Sequence, residues 1–307
     1  MQFRGRDLIS IADLSKEAIY EVLKKAKEMV PLARGEVVEE NLKGKVLATL
    51  FFEPSTRTRL SFEAAVQRLG GRVLNFGMPE ATSITKGETL ADTVRMVEAY
   101  SDIIVLRHPQ EGAARLAAEF SEKPVINAGD GAGQHPTQTL LDLFTIWDEK
   151  GIIEGNRVVL LGDLKYGRTV HSLAYALALL GAQLTFLAPP TLQMPREIVD
   201  MVNAFGTKPK EVGDLKEAMR EADVLYVTRI QKERFPDPQE YQTVAGSYRI
   251  DLHILREAKK DLIIMHPLPR VTEIAAEVDR TPHALYFKQA FNGVPVRMAL
   301  LTLILGA

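Results

Sequence analysis

The sequence predicts an α/β fold of two similar domains, each a mainly parallel sheet with helices on both faces, and an active site between them. Three observations carry this expectation. Short apolar runs alternate with helical patterns along nearly the whole chain, and near-continuous apolar strands belong to sheets buried on both faces. The alternation pauses once, at Gly129-Asp130-Gly131-Ala132-Gly133, and then resumes. The 307 residues exceed what one core usually serves, roughly 250–300 residues.

The elements follow in order. Ser15 can cap a helix reaching about Ala33, with Ala18, Ile19, Val22, Leu23, Ala26 and Val30 on one apolar face. Strands are expected at 46–52, 73–76, 102–106 and 124–127, and helices at 58–69, 89–100 and 112–120, the first of these stopped by Gly70-Gly71. A helix at 136–149 has proline near its start, where the missing N–H costs nothing. The second series reads as strands at 158–161, 184–187, 224–228 and 262–265, with helices around 169–180, 196–204, 214–221 and 251–258. A last apolar helix at 288–305 needs another element to pack against. The domains are therefore set at 1–149, completed by 288–307, and at 150–287. In such sheets sites form beyond the carboxyl ends of strands.

Composition excludes several classes. The chain is 46% hydrophobic and 25% charged, an ordinary globular balance. With 38 basic and 40 acidic residues it has no general pull toward nucleic acid or membranes. It has no cysteine, so disulfides, thiolate catalysis and cysteine metal sites are out. Residues 1–10 lack an apolar signal core, and the most apolar stretch, 298–305, is far shorter than the ~20 residues of a membrane helix. A cytoplasmic location is expected.

After the first strand comes Glu53-Pro54-Ser55-Thr56-Arg57-Thr58-Arg59, then a helix. Free N–H groups and the helix dipole favour an anion there. Ser55, Thr56 and Thr58 add hydroxyls, and Arg57 adds a planar fork that suits phosphate. A lone serine or threonine at this point reads simply as an N-cap. The whole run, followed by Ser61-Phe62-Glu63, resembles the carbamoyl phosphate signature of the aspartate and ornithine carbamoyltransferase family.

The resemblance extends from Asp13 to the last helix and implies the rest of a site. It assigns phosphate binding to Ser55, Thr56, Arg57 and Thr58. Thr58, Arg107 after the third strand, and His135 of His135-Pro136-Thr137-Gln138 would polarise the carbamoyl carbonyl, while Gln138 would hold its NH₂. Arg57, Thr58, Arg107 and His135 are the expected catalytic set. The Pro267-Leu268-Pro269 turn would offer carbonyls to the same amide. Thr82 to Thr89 resembles a loop that reaches a neighbouring subunit's site, with Ser83 and Lys86 as its donors. A homotrimer with shared sites is implied, and in some members a separate regulatory chain.

Gly162-Asp163-Leu164-Lys165-Tyr166-Gly167-Arg168-Thr169 almost scans as a nucleotide P-loop. However, arginine stands at the lysine position and Asp163 would repel phosphate. The same helix start suits a carboxylate, and the run resembles the family's aspartate-binding segment. Arg168, Arg229 and Gln231, with Lys86, are thus expected to bind a dicarboxylic amino acid. The expected reaction is attack by the amine of L-aspartate on carbamoyl phosphate, with no cofactor and no metal. The alternatives are another amino acceptor such as ornithine, or a non-catalytic carbamoyl phosphate-binding protein. A nicotinamide dehydrogenase is disfavoured, because no Gly-x-Gly-x-x-Gly follows a strand.

Overall fold

The structure, a computed structural model, describes residues 3–76, 83–230, 239, 244 and 246–307. The chain forms two compact units, Met1–Phe144 with Phe291–Ala307, and Thr145–Ala290.

The first unit holds α1 (Lys16–Arg34), β1 (Val46–Phe51), α2 (Thr56–Arg68), β2 (Arg72–Asn75), α3 (Leu90–Glu98), β3 (Ile103–His108), α4 (Ala113–Phe120), β4 (Val125–Asp130) and the start of α5 (Pro136–Lys150). Its strands are parallel in the order β2-β1-β3-β4. Ala48 and Leu50 of β1 and Ile104 and Leu106 of β3 cluster with Val94, Val97, Ala114 and Ala117 of α3 and α4. The alternate residues Leu47, Ile103 and Val105 point the other way and are equally buried. Both faces are therefore covered, and each such aliphatic side chain contributes roughly 1.5–3 kcal/mol. Ser15 caps α1 by accepting from Ala18 N–H at 3.2 Å, and Gly35 ends it at φ 78°.

The second unit holds β5 (Arg157–Leu161), α6 (Arg168–Leu179), β6 (Gln183–Leu187), α7 (Arg196–Ala204), β7 (Lys210–Val212), α8 (Leu215–Glu221), β8 (Val224–Val227), α9 (Leu252–Leu255) and β9 (Ile263–Met265). These strands are also all parallel, in the order β7-β6-β5-β8-β9. α10 (Tyr286–Leu305) starts in this unit and carries the chain into the first. The two units part at 144/145, inside α5, and at 290/291, inside α10, whereas the sequence reading set the boundaries at 149/150 and 287/288.

In each sheet the chain starts at an inner strand, winds one way, and then returns past its start to wind the other. The order reverses between β1 and β3 and again between β5 and β8. At such a reversal the connections part, leaving a crevice at the carboxyl ends of the strands. Among the described residues no helix is long and apolar enough to cross a membrane.

Candidate active site

The first crevice gathers the exits of three strands. Phe51 pairs with Arg107 across β1 and β3, and His108 pairs with Asp130 across β3 and β4. From β1 the chain runs directly into α2. Ser55 sits at the N-cap in an extended conformation, φ −157° and ψ 104°, but its side chain makes no capping bond. Its hydroxyl is not used on the helix, unlike a simple N-cap. Thr56 and Arg57 lie in the first helical turn, and the helix begins before the expected residue 58. Thr58 is buried, with Oγ1 at 3.5 Å from His135 Nε2. Arg107 donates from Nη2 to Glu53 Oε1 at 3.2 Å and from Nη1 to the Ala128 carbonyl at 3.3 Å. Arg57 is open to solvent over much of its length. Even so, partial burial of its guanidinium and the nearby charge of Arg107 lower its pKa. Two cations held this close suit an anion.

His135 is placed by the β4–α5 loop. Asp130 organises that loop: Oδ1 accepts from Gln134 N–H at 2.7 Å and Asn127 Nδ2 at 3.0 Å, and Oδ2 from Gly112 N–H at 3.0 Å. Gly131 has φ 53°, and a Cβ there would strike the Pro109 carbonyl. The His135 carbonyl then accepts the first bonds of α5, from Gln138 and Thr139. Gln138 Nε2 donates to Asp142 Oδ1 at 2.8 Å, which turns Gln138 Oε1 outward as an acceptor. Behind His135, Thr137 Oγ1 lies 3.5 Å from Nδ1 and accepts from Arg297 Nη2 at 3.2 Å. Sequence reading missed Glu53, Asp130, Asp142 and Arg297. Asp130 had a local signal in Gly-Asp-Gly; the partners of the others are set only by the fold.

The second crevice lies between β5 and β8, where Leu161 pairs with Val227. Gly162 has φ 119°, and a Cβ there would strike the Thr228 carbonyl. Asp163 N–H donates to Thr228 Oγ1 at 3.0 Å, and Asp163 Oδ1 accepts from Tyr166 N–H at 2.9 Å. Asp163 therefore shapes the loop. Arg168 opens α6 and is 8% exposed, while Arg229 follows β8 and is half-buried. The pairing of β5 with β8 brings both arginines to the carboxyl end of the same sheet. Gln231 lies outside the described residues.

After β9 the turn is held by side chains as well as by its prolines. Leu268 has φ 51°, a left-handed conformation that is costly for leucine, and the Leu268–Pro269 bond is cis. His266 is buried. Its Nδ1 accepts from Leu268 N–H at 2.8 Å, so Nε2 carries the proton and donates to Glu273 Oε1 at 2.7 Å. Glu273 Oε2 also accepts from Val271 and Thr272 N–H at 3.1 and 3.0 Å. Burial pushes the Glu273 carboxyl up, but these donors more than offset it and hold it at about 2. Burial lowers the His266 pKa and keeps the ring neutral. Gln289 Oε1 accepts from His266 N–H at 2.8 Å.

Ser83 and Lys86 bound a short 3₁₀ turn ahead of α3, and Lys86 is exposed. No contact joins Lys86 to Thr58, Arg107 or His135 among the described residues. No cluster of His, Asp and Glu that could hold a metal occurs among those residues.

Comparison with known proteins matches both units of the chain to one family. The domain described as Aspartate/ornithine carbamoyltransferase, carbamoyl-P binding domain, matches residues 6–148. Its companion, the Asp/Orn binding domain, matches residues 154–304. The aspartate carbamoyltransferase catalytic subunit of Thermococcus onnurineus (strain NA1) is 61% identical over 306 residues, covering 100% of this chain and 99% of that one. Among solved structures, the catalytic subunit of M. jannaschii aspartate transcarbamoylase superposes with a TM-score of 0.90 at 54% identity, covering 96% of each chain. Aspartate transcarbamoylase from Trypanosoma cruzi in complex with carbamoyl phosphate and aspartate superposes with a TM-score of 0.93 at 42% identity, covering 99% of this chain and 98% of that one.

Proposed function

Because this chain belongs to the aspartate/ornithine carbamoyltransferase family, we infer that it transfers the carbamoyl group of carbamoyl phosphate to the amino group of L-aspartate. The products are N-carbamoyl-L-aspartate and phosphate. One observation carries the site reading: Thr58 at the start of α2, Arg107 at the end of β3 and His135 at the start of α5 are set at adjacent strand exits, with Thr58 and His135 in contact.

Carbamoyl phosphate is a poor electrophile until its carbonyl oxygen is polarised. In our reading the first-turn N–H groups of α2, with Ser55, Thr56 and Arg57, hold the phosphate. Thr58, Arg107 and His135 donate to the carbonyl oxygen. Gln138 Oε1 accepts from the carbamoyl NH₂, as do the carbonyls of the Pro267-Leu268-Pro269 turn. Arg168, Arg229 and Gln231, with Lys86, take the two carboxylates of aspartate. The amine nitrogen attacks the carbamoyl carbon and a C–N bond forms. Negative charge collects on the oxygen, where donors are already in place. The C–O bond to phosphate then breaks, and the amine proton passes to a phosphate oxygen. Loss of one such donor typically costs about 10²–10³ in rate.

We assign the reaction to an early step of de novo pyrimidine biosynthesis, in the cytoplasm. We also propose a homotrimer in which Ser83 and Lys86 serve a neighbour's site, with a separate regulatory chain as a possible further partner. Supporting association, Leu60, Leu74, Met96 and Tyr100 of the first unit are large apolar side chains left exposed. The deciding assay is carbamoyl product formation from carbamoyl phosphate with L-aspartate or L-ornithine, for wild type and Arg57→Ala. Product with aspartate alone, lost by ~10² or more in Arg57→Ala, is expected. Product with ornithine would move the acceptor. No product from folded protein that still binds carbamoyl phosphate would leave a binding protein.

A further inference from the structure

We propose that Arg297 and Thr137 are positioning residues that fix the ring proton of His135 on Nε2, through a one-way relay from Arg297 Nη2 to Thr137 Oγ1 to His135 Nδ1. The inference rests on the reading of His135 as a donor to the carbamoyl oxygen.

The direction of the relay follows from the donor inventory. A guanidinium only donates, so the 3.2 Å contact makes Thr137 Oγ1 an acceptor. The hydroxyl's own hydrogen is then available elsewhere, and His135 Nδ1 stands at 3.5 Å. A ring that accepts at Nδ1 and is neutral carries its proton on Nε2. That nitrogen faces Thr58 Oγ1 at 3.5 Å, where the developing oxyanion is read. Both ring contacts are at the outer limit of a hydrogen bond. Such contacts commonly tighten when substrate closes the site. The opposite tautomer would aim a lone pair at the oxyanion.

Arg297 is equipped for this task. It is 2% exposed, its guanidinium lies 4.9 Å above the Phe62 ring, and Phe62 lies on α2 together with Thr58. Burial lowers its pKa to about 9, against the raising effect of Asp142, so it remains a cation near neutral pH. Asp142 also accepts from Gln138, so one buried carboxylate serves both the relay's cation and a predicted substrate contact.

The test uses Thr137→Val, which keeps shape and removes the hydroxyl, and Thr137→Ser, which restores it. Two readouts are taken on the full-length protein. Nitrogen-15 NMR of labelled histidine reports the tautomer, with the His135 signals assigned by His135→Asn. Steady-state kinetics report kcat and KM. Wild type and Thr137→Ser should show protonated Nε2, whereas Thr137→Val should shift toward protonated Nδ1. In Thr137→Val, kcat should fall about 10–100-fold, by analogy with a metal-bound histidine that loses the hydrogen bond on its other ring nitrogen, with KM for carbamoyl phosphate changing much less. Thr137→Val/Arg297→Met should be no slower than the slower single variant, because both changes break one relay. An unchanged tautomer in Thr137→Val overturns the proposal. So does a Thr137→Ser enzyme as slow as Thr137→Val. An inactive wild type would instead overturn the functional reading, and the NMR arm would still decide the relay.

Discussion

At Gly162 the backbone takes φ 119°, a region that side chains with a Cβ rarely adopt, and the missing side chain lets the loop pass against the Thr228 carbonyl. Gly131 does the same in the first unit, where the loop passes the Pro109 carbonyl. Each glycine lets residues after one strand lie beside the exit of its neighbour. Gly162→Ala should therefore lower stability by at least ~2 kcal/mol through strain and clash together. It should also raise KM for aspartate while leaving carbamoyl phosphate affinity nearly unchanged. Urea unfolding and two-substrate kinetics check this, and an unshifted midpoint would refute it. Motif reading could propose Ser55, Arg57, Thr58, Arg107, His135, Arg168 and Arg229, because their chemistry is written in contiguous runs. It could not name Glu53 or Arg297. Glu53 and Arg107 are 54 positions apart, and Arg297 and Thr137 are 160 apart, so only the fold brings them together. The Gly162 run also showed why Asp163 argued against phosphate but not what its carboxylate does: it accepts from Tyr166 N–H and so shapes the loop.

Elements were legible where an apolar run or a turn signal marked them. β7 (Lys210–Val212) escaped because its three residues, Lys-Glu-Val at the sheet edge, have no apolar run and stay largely exposed. The 251–258 helix shrank to α9 (Leu252–Leu255), set by Asp251 accepting from the N–H groups of His253 and Ile254. The turn after β9 was legible as rigid from its prolines. Its wiring through His266 and Glu273 was not, since a histidine reads alike in a core or a site. That wiring gives a pH prediction. The Glu273 carboxyl is depressed from 4.5 to about 2, so its contribution is fully present above pH 4.5 and is lost as the pH falls toward 2. Glu273→Gln should be less stable than wild type near pH 6, and the gap should narrow through that window. Urea midpoints at stepped pH measure it, and a constant gap would show that the ionised form is not what matters.

On the scale of the whole molecule, the βαβ alternation made the two-sheet architecture readable, while the strand orders that create each crevice were not. Periodicity says which segments are strands but not which side a crossover takes. If the trimer reading holds, Arg57→Ala and Lys86→Ala each disable a site, but from different chains. Mixing the two variants after dissociation and reassembly should give hybrids with some intact sites and activity well above the sum of the parents. Activity equal to that sum would return Lys86 to its own chain. The path of α10 has a further consequence for biosynthesis. Residues 291–307 belong to the first unit, where Leu300, Leu301 and Ile304 are buried and the Ile304 carbonyl accepts from Gly5 N–H at 2.9 Å. On the ribosome those residues emerge only after the entire second unit. The half of the protein that is translated first is thus the half that closes last, and until then it presents an apolar seam to solvent. A premature stop near the end would therefore strike the carbamoyl phosphate half, although every residue of its signature motif had already been made.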